Sequence, residues 1–148
     1  MTGATGFIGR RLVSELPQRG ARLRLLIRSG HAIPATWAGV ETVVGDVTDA
    51  ASLRRACAGM DTVLHLAGFA HADAAATPEF AARHWAVNAE GTFHLLDAAL
   101  VAGVQRFVFL SSVKAVGEPG AHCVDEQWDA PPDTPYGRAK RAAEERLL

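Results

Sequence analysis

The chain is 148 residues long, the length of one domain. Hydrophobic residues at 49% and charged residues at 21% exclude a collagen-like or disordered chain. Fifteen basic side chains against sixteen acidic ones leave a net charge of −1, too balanced to hold a nucleic-acid backbone or an anionic membrane.

The elements follow in chain order. Ile8, Leu12 and Leu16 recur every four residues and predict a helix over 7–19. Residues 21–28 (ARLRLLIR) read as a strand, Gly30, Pro34 and Gly39 punctuate a loop, and 40–45 is a second short strand. A helix is predicted over 49–58, with Asp49 as its cap and Gly59 beyond its end. Residues 62–67 (TVLHLA) form a buried strand. Pro78 opens a long helix through 102, and Gly103 is its stop signal. Residues 106–111 (RFVFLS) are another strand. A polar, proline-containing connection then runs to Pro135, and Tyr136 begins a helix that continues to Leu148.

Strands separated by helix-length patterns imply βαβ units and a mostly parallel sheet. No internal repeat is present. Only Met1 and Thr2 precede the first glycine turn, and the last helix has no stop signal. The expectation is a partial domain over 1–148, its first strand largely missing. Cys57 and Cys123 form no C-x-x-C pair, no apolar run reaches spanning length and no charged n-region precedes an apolar block. A cytoplasmic protein is therefore expected.

Residues 2–9 read TGATGFIG, with a helix starting at once. In such a turn one glycine permits the tight bend, a second lets backbone approach a pyrophosphate, and a third lets the helix pack closely on the sheet. The helix N-terminus then holds the anion. Gly3, Thr5, Gly6, Phe7, Ile8 and Gly9 are the candidates for that contact, against the alternative of a plain strand-to-helix turn. Arg28 lies 19 residues beyond Gly9, where a dinucleotide fold keeps its ribose-reading residue. An arginine there accommodates a 2′-phosphate, so NADP is tolerated beside NAD; a solvated strand-end arginine is the alternative.

Further motifs extend the pattern: Gly45-Asp46-Val47-Thr48-Asp49, His65-Leu66-Ala67-Gly68, Asn88-Ala89-Glu90-Gly91-Thr92, Ser111-Ser112 and Tyr136-Gly137-Arg138-Ala139-Lys140. Together with TGATGFIG, and in this order over essentially the whole chain, they resemble the extended short-chain dehydrogenase/reductases, the NAD-dependent epimerases and dehydratases that act on nucleotide sugars. The resemblance implies a Rossmann-like doubly wound parallel sheet in three α/β/α layers, with NAD or NADP as cofactor. It places Asp46 and Val47 at the adenine and Ala67 and Gly68 along the cofactor ribose, with Leu66 as a further cofactor contact. Asn88 would sit in the helix behind the site or on that helix's surface. His65, inside a strand, reads as a core histidine, and the six histidines show no metal-ligand spacing, so no metal is expected.

Tyr136 is the only tyrosine and Lys140 one of two lysines. Four residues turn a helix by about 400°, so both side chains leave one face. A free phenol, with a pKa near ~10, is a poor base at neutral pH, and a neighbouring ammonium favours its ionised form. The resemblance assigns Tyr136 as proton acceptor and donor, Lys140 as its activator and a ligand of the nicotinamide ribose, and Ser112 as the hydroxyl that polarises the same substrate oxygen. Ser111 competes for the last role; Ser112 stands five residues before Gly117, the family's offset.

Dehydratases of this group carry Asp-Glu just after the active hydroxyl, where this chain has Val113 and Lys114, so dehydration is disfavoured. Asp125 and Glu126 read as solvated loop. The chain departs from a Val-Tyr-Gly ending with Ala115-Val116-Gly117, and Lys114 is either a substrate contact or a solvated lysine. Epimerisation of a nucleotide sugar, UDP-linked, through a transient keto-sugar is the leading expectation. The alternatives are a reductase or dehydrogenase of another small carbonyl compound, a non-catalytic dinucleotide sensor, and an inactive fragment. The resemblance implies that substrate recognition belongs to a C-terminal lobe, which is expected to lie outside these 148 residues. The resemblance also implies a homodimer through the helices at 78–102 and 136–148, where Trp85, Phe93 and Leu96 would face a partner or be buried in the monomer.

Overall fold

Two parallel strand pairs and a two-residue stub make the sheet. In the computed structural model, which describes residues 1–70 and 77–148, strand β1 (Arg24–Ile27) pairs with β2 (Glu41–Val44), and β3 (Thr62–His65) with β4 (Arg106–Phe109). Met1 and Thr2 stand between the pairs. The Leu26 N–H donates to the Met1 carbonyl at 2.9 Å, and the Thr2 N–H donates to the Leu64 carbonyl at 3.0 Å. Thr2 also forms a parallel bridge with His65. The strand order is thus β2, β1, residues 1–2, β3, β4, as in a doubly wound Rossmann-like sheet. Its direction of winding reverses between Thr2 and β3, the switch point at which open α/β sheets bind ligands.

The chain divides into two units, residues 1–68 with 94–110 and residues 69–93 with 111–148. The sheet belongs to the first. Its core gathers Ala4, Val13, Leu25, Ile27 and Trp37, with Met1, Leu23 and Val40 packed against them. Helix α1 (Phe7–Glu15) stops four residues short of the predicted end at 19. Pro17 has no N–H to donate back along the helix, and a 3₁₀ turn over Pro17–Arg19 closes on Gly20 at φ 82°. Helix α2 (Ala50–Cys57) starts as predicted, the Asp49 carboxylate accepting from the Ala51 and Ser52 N–H groups.

The strands are shorter than their sequence patterns because the flanking backbone bonds elsewhere. Ala21 donates to the Leu16 carbonyl at the end of α1, at 3.1 Å, and Ala67 donates to the Thr2 hydroxyl rather than to a ladder partner.

In the second unit, the Thr77 hydroxyl accepts from the Phe80 N–H and starts α3 (Pro78–His84), with Pro78 at its first position. The segment predicted as one helix over 78–102 is not uniform, and its residues from 94 on belong to the first unit. A π-helical stretch, Trp85–Glu90, separates α3 from α4 (Gly91–Val101). Such widened turns move the side chains away from the 3.6-residue register, and this one carries buried Asn88. Helix α5 (Pro135–Leu147) is capped by Thr134, whose hydroxyl accepts from the Gly137 N–H at 3.0 Å.

Candidate active site

In the first unit the glycine turn has the predicted shape. Gly3 is left-handed at φ +72°, and a Cβ there would lie 2.6 Å from the Ala67 nitrogen, so only glycine fits. The Gly6 N–H donates to the Gly3 carbonyl at 3.0 Å, and the Arg10 guanidinium donates to the Thr5 carbonyl at 2.9 Å. Gly9 lets α1 approach: its Cβ would lie 2.1 Å from the Gly3 oxygen. Gly6 caps α1 with no side-chain hydrogen bond, and Phe7 is 96% exposed beside a half-exposed Ile8. The first-turn amides of α1 therefore carry no side-chain cap at the carboxyl end of the 1–2 stub, which fits a dinucleotide diphosphate.

Thr2 joins the stub to β3. Its hydroxyl accepts from the Ala67 N–H at 3.1 Å and lies 2.7 Å from His65 Nδ1. His65 is buried against Phe107 and Phe109, the core histidine that its strand position predicts. Leu66, Ala67 and Gly68 thus follow β3 beside Gly3. After β2, the Asp46 carboxylate accepts from the Thr48 N–H and hydroxyl, and Val47 is buried. Arg28 is exposed beyond β1, where its guanidinium donates to His31 Nε2 at 3.2 Å.

The second unit carries Ser112, Tyr136 and Lys140. The Ser112 hydroxyl accepts from the Lys114 N–H at 3.2 Å and starts a 3₁₀ turn, Val113–Ala115. Gly137 brings α5 against that turn, since a Cβ on it would lie 2.1 Å from the Lys114 carbonyl oxygen. One glycine therefore sets the helix of Tyr136 and Lys140 against the turn that Ser112 begins. The Ser111 hydroxyl is buried with no hydrogen-bond partner among the described residues. Lys114 pairs with Glu118, which makes it an ion-paired surface lysine, and Asp125 and Glu126 are exposed. Asn88 is not on a helix surface: at 1% exposure its amide is bonded to both backbone groups of Phe69. Sequence reasoning left His84 without a role; it is buried, with its ring against Tyr136. Its one signal is the four-residue spacing to Asn88. Among the described residues no group of three or more His, Cys, Asp or Glu is placed to hold a metal ion, and no helix is long and apolar enough to cross a membrane. His71 lies outside the described residues.

Lys140 is buried, and desolvation pushes its amine down to about 8, with Glu144 opposing that shift. The unfolded chain holds the lysine proton up to its ordinary range, so between about pH 8 and pH ~10.5 the unfolded state binds more protons than the folded one. Lys140 thus makes the cofactor-free protein more stable as pH rises through that window, by roughly 3 kcal/mol. Denaturant melts of Lys140→Met should lack this increment when subtracted from wild type. Equal slopes for the two proteins over this window would refute it.

The family model described as the NAD dependent epimerase/dehydratase family matches residues 1–148. A 3-beta-hydroxysteroid dehydrogenase of Mycolicibacterium neoaurum is 40% identical over 118 residues, which are 78% of this chain and 32% of the relative. A short-chain dehydrogenase/reductase superfamily protein from Agrobacterium tumefaciens, crystallised with bound NAD, superposes with a TM-score of 0.81 at 38% identity, covering 99% of this chain and 42% of that one. The Thermus thermophilus UDP-glucose 4-epimerase, solved with NAD, gives a TM-score of 0.83 at 29% identity, with coverage of 99% and 48%. The chain spans less than half the length of each of these relatives.

Proposed function

Since the chain belongs to the NAD dependent epimerase/dehydratase family, a group of oxidoreductase-type enzymes whose cofactor is NAD or NADP, we propose that the protein containing it oxidises a secondary alcohol of a nucleotide sugar and reduces the resulting ketone on its other face. The net reaction is epimerisation. The observation that carries the reading is the buried amine of Lys140 one helical turn from Tyr136 on α5.

The dinucleotide would be held by the turn of Gly3, Thr5, Gly6, Phe7, Ile8 and Gly9, with Arg28, Asp46, Val47, Leu66, Ala67 and Gly68 about its adenosine half. Tyr136 and Lys140 would meet its nicotinamide end. When bound, the nicotinamide supplies hydride exchange with the substrate carbon. Tyr136 takes the hydroxyl proton as that carbon is oxidised and gives it back on reduction. Lys140, cationic below about pH 8, would bond the nicotinamide ribose beside it. Ser112 donates to the same substrate oxygen. Val113 and Lys114 offer no carboxylate pair, and Lys114 is engaged by Glu118, so water elimination is not part of the reading.

A second reading has an observation in its favour: the relative 40% identical is a hydroxysteroid dehydrogenase. The same residues would then carry a single oxidation. Incubating the complete protein with NAD, a panel of UDP-sugars and a 3β-hydroxysteroid separates the two. Epimer formation without net absorbance of reduced cofactor supports epimerisation, and stoichiometric absorbance supports a dehydrogenase. Dinucleotide binding with no turnover of any of them contradicts both and favours a sensor.

Arg28 stands at the ribose-reading position with no carboxylate in its place. Its charge-assisted bonds to a 2′-phosphate are worth about 1.5–3 kcal/mol, so Arg28→Ala should weaken NADP binding roughly 10–100-fold and leave NAD binding within about twofold. Titration by calorimetry reads both constants. NADP affinity unchanged by the substitution would refute the assignment.

A further inference from the structure

Four residues of the second unit form a chain whose hydrogen-bond logic has one solution. The Phe69 N–H donates to Asn88 Oδ1 at 2.8 Å, and Asn88 Nδ2 donates to the Phe69 carbonyl at 2.9 Å. A backbone donor and a backbone acceptor thus fix which end of the Asn88 amide is nitrogen. The same Nδ2 lies 3.2 Å from His84 Nδ1. An amide nitrogen only donates, so Nδ1 must present its lone pair, and the imidazole proton is on Nε2. Asn88 therefore selects a neutral His84 of one tautomer: a proton on Nδ1 would set two donors against each other. The ring so fixed is buried at 1% exposure. It lies edge-on to Phe80 at 4.5 Å, is tilted on Phe69 at 4.8 Å, and meets the Tyr136 ring at 5.6 Å and 67°.

We propose that His84, held as the neutral Nε2–H tautomer by Asn88, is a positioning residue that sets the orientation of the Tyr136 ring. The Tyr136 hydroxyl is at the far end of a side chain with two rotatable torsions, so its place depends on what the ring rests against. Edge-to-face packing is directional, preferring centroids ~4.5–7 Å apart with the rings inclined, and His84 supplies that contact from α3. A hydroxyl displaced by about 1 Å from its substrate oxygen loses roughly 10²-fold in rate. The inference rests on the role given to Tyr136 above.

The test uses the complete protein. Long-range ¹H–¹⁵N spectra of histidine-labelled protein should show His84 protonated at Nε2 and not at Nδ1; the reverse tautomer overturns the proposal without touching the role of Tyr136. Crystal structures should show the Tyr136 ring displaced in His84→Ala, with α5 in place, and restored in His84→Phe. Measured well below the melting point with the substrate found by the panel, His84→Ala should lose at least tenfold in kcat per folded molecule. KM for the dinucleotide should stay within about twofold, and His84→Phe should recover most of the loss. An undisplaced Tyr136 ring, or kcat within twofold of wild type in His84→Ala, overturns the proposal. Tyr136→Phe is run in parallel: full turnover there refutes the catalytic reading itself, so the two failures are distinguishable.

Discussion

Tyr136→Phe is expected to lower turnover about 10²–10⁴-fold, the usual contribution of a positioned acid–base group, while leaving dinucleotide affinity within a few-fold. The substitution removes one oxygen and little else. The ring that meets His84 is kept, the Thr134 cap on α5 is a bond to Gly137, and the close approach of α5 to the Lys114 carbonyl is made by Gly137. None of these uses the phenol hydroxyl, so the variant should melt within a few degrees of wild type. A loss of rate with fold and binding retained then isolates the proton transfer. Steady-state kinetics with the substrate from the panel reads it, and a kcat within threefold of wild type would remove Tyr136 from the mechanism.

The second large effect is structural. Gly9→Ala should lower the melting temperature by roughly 3–10 °C, from an overpacking cost of about 1–3 kcal/mol, and weaken NAD binding at least tenfold. The new methyl would lie 2.1 Å from the Gly3 oxygen and 2.8 Å from the Ala4 Cα, all backbone with no side chain to swing aside. Relief requires α1 to move off the glycine turn, which carries its uncapped amides away from the place where a diphosphate would meet them. Gly3 cannot move in compensation, because a shift there breaks its seat against Leu66 and Ala67. Calorimetry of the melt and of NAD binding tests both halves. A variant equal to wild type in both would mean that the turn does not hold the cofactor.

What could be seen in the amino-acid sequence follows from the range of the interactions. The glycine turn and the Asp49 cap are bonds made within a few residues, so spacing alone exposes them. Alternating strand and helix patterns led to the parallel sheet, and the family motifs to the Rossmann-like order. The end of α1 differs because its apolar repeat, which reaches Leu16, carries no mark of the stop, whereas Pro17 ends the α-helix at Glu15 and continues the chain as a 3₁₀ turn. The π-helical stretch has no counterpart in the repeat: Asn88 is buried by Phe69, a partner 19 residues away that no periodicity links to it. His84 was missed for the same reason. Its spacing to Asn88 was visible, but its contact with Tyr136 joins two helices 52 positions apart.

The proposed reaction turns on one alcohol, whose proton would go to Tyr136 as its carbon is oxidised. The most direct measurement is a crystal structure of the complete protein with NAD and the substrate that it turns over. The Tyr136 hydroxyl should lie within ~2.6–3.2 Å of the reacting oxygen, with the nicotinamide ring against the carbon that bears it. A substrate whose reacting oxygen meets another side chain, or a nicotinamide ring lying away from that carbon, would contradict the proposed reaction.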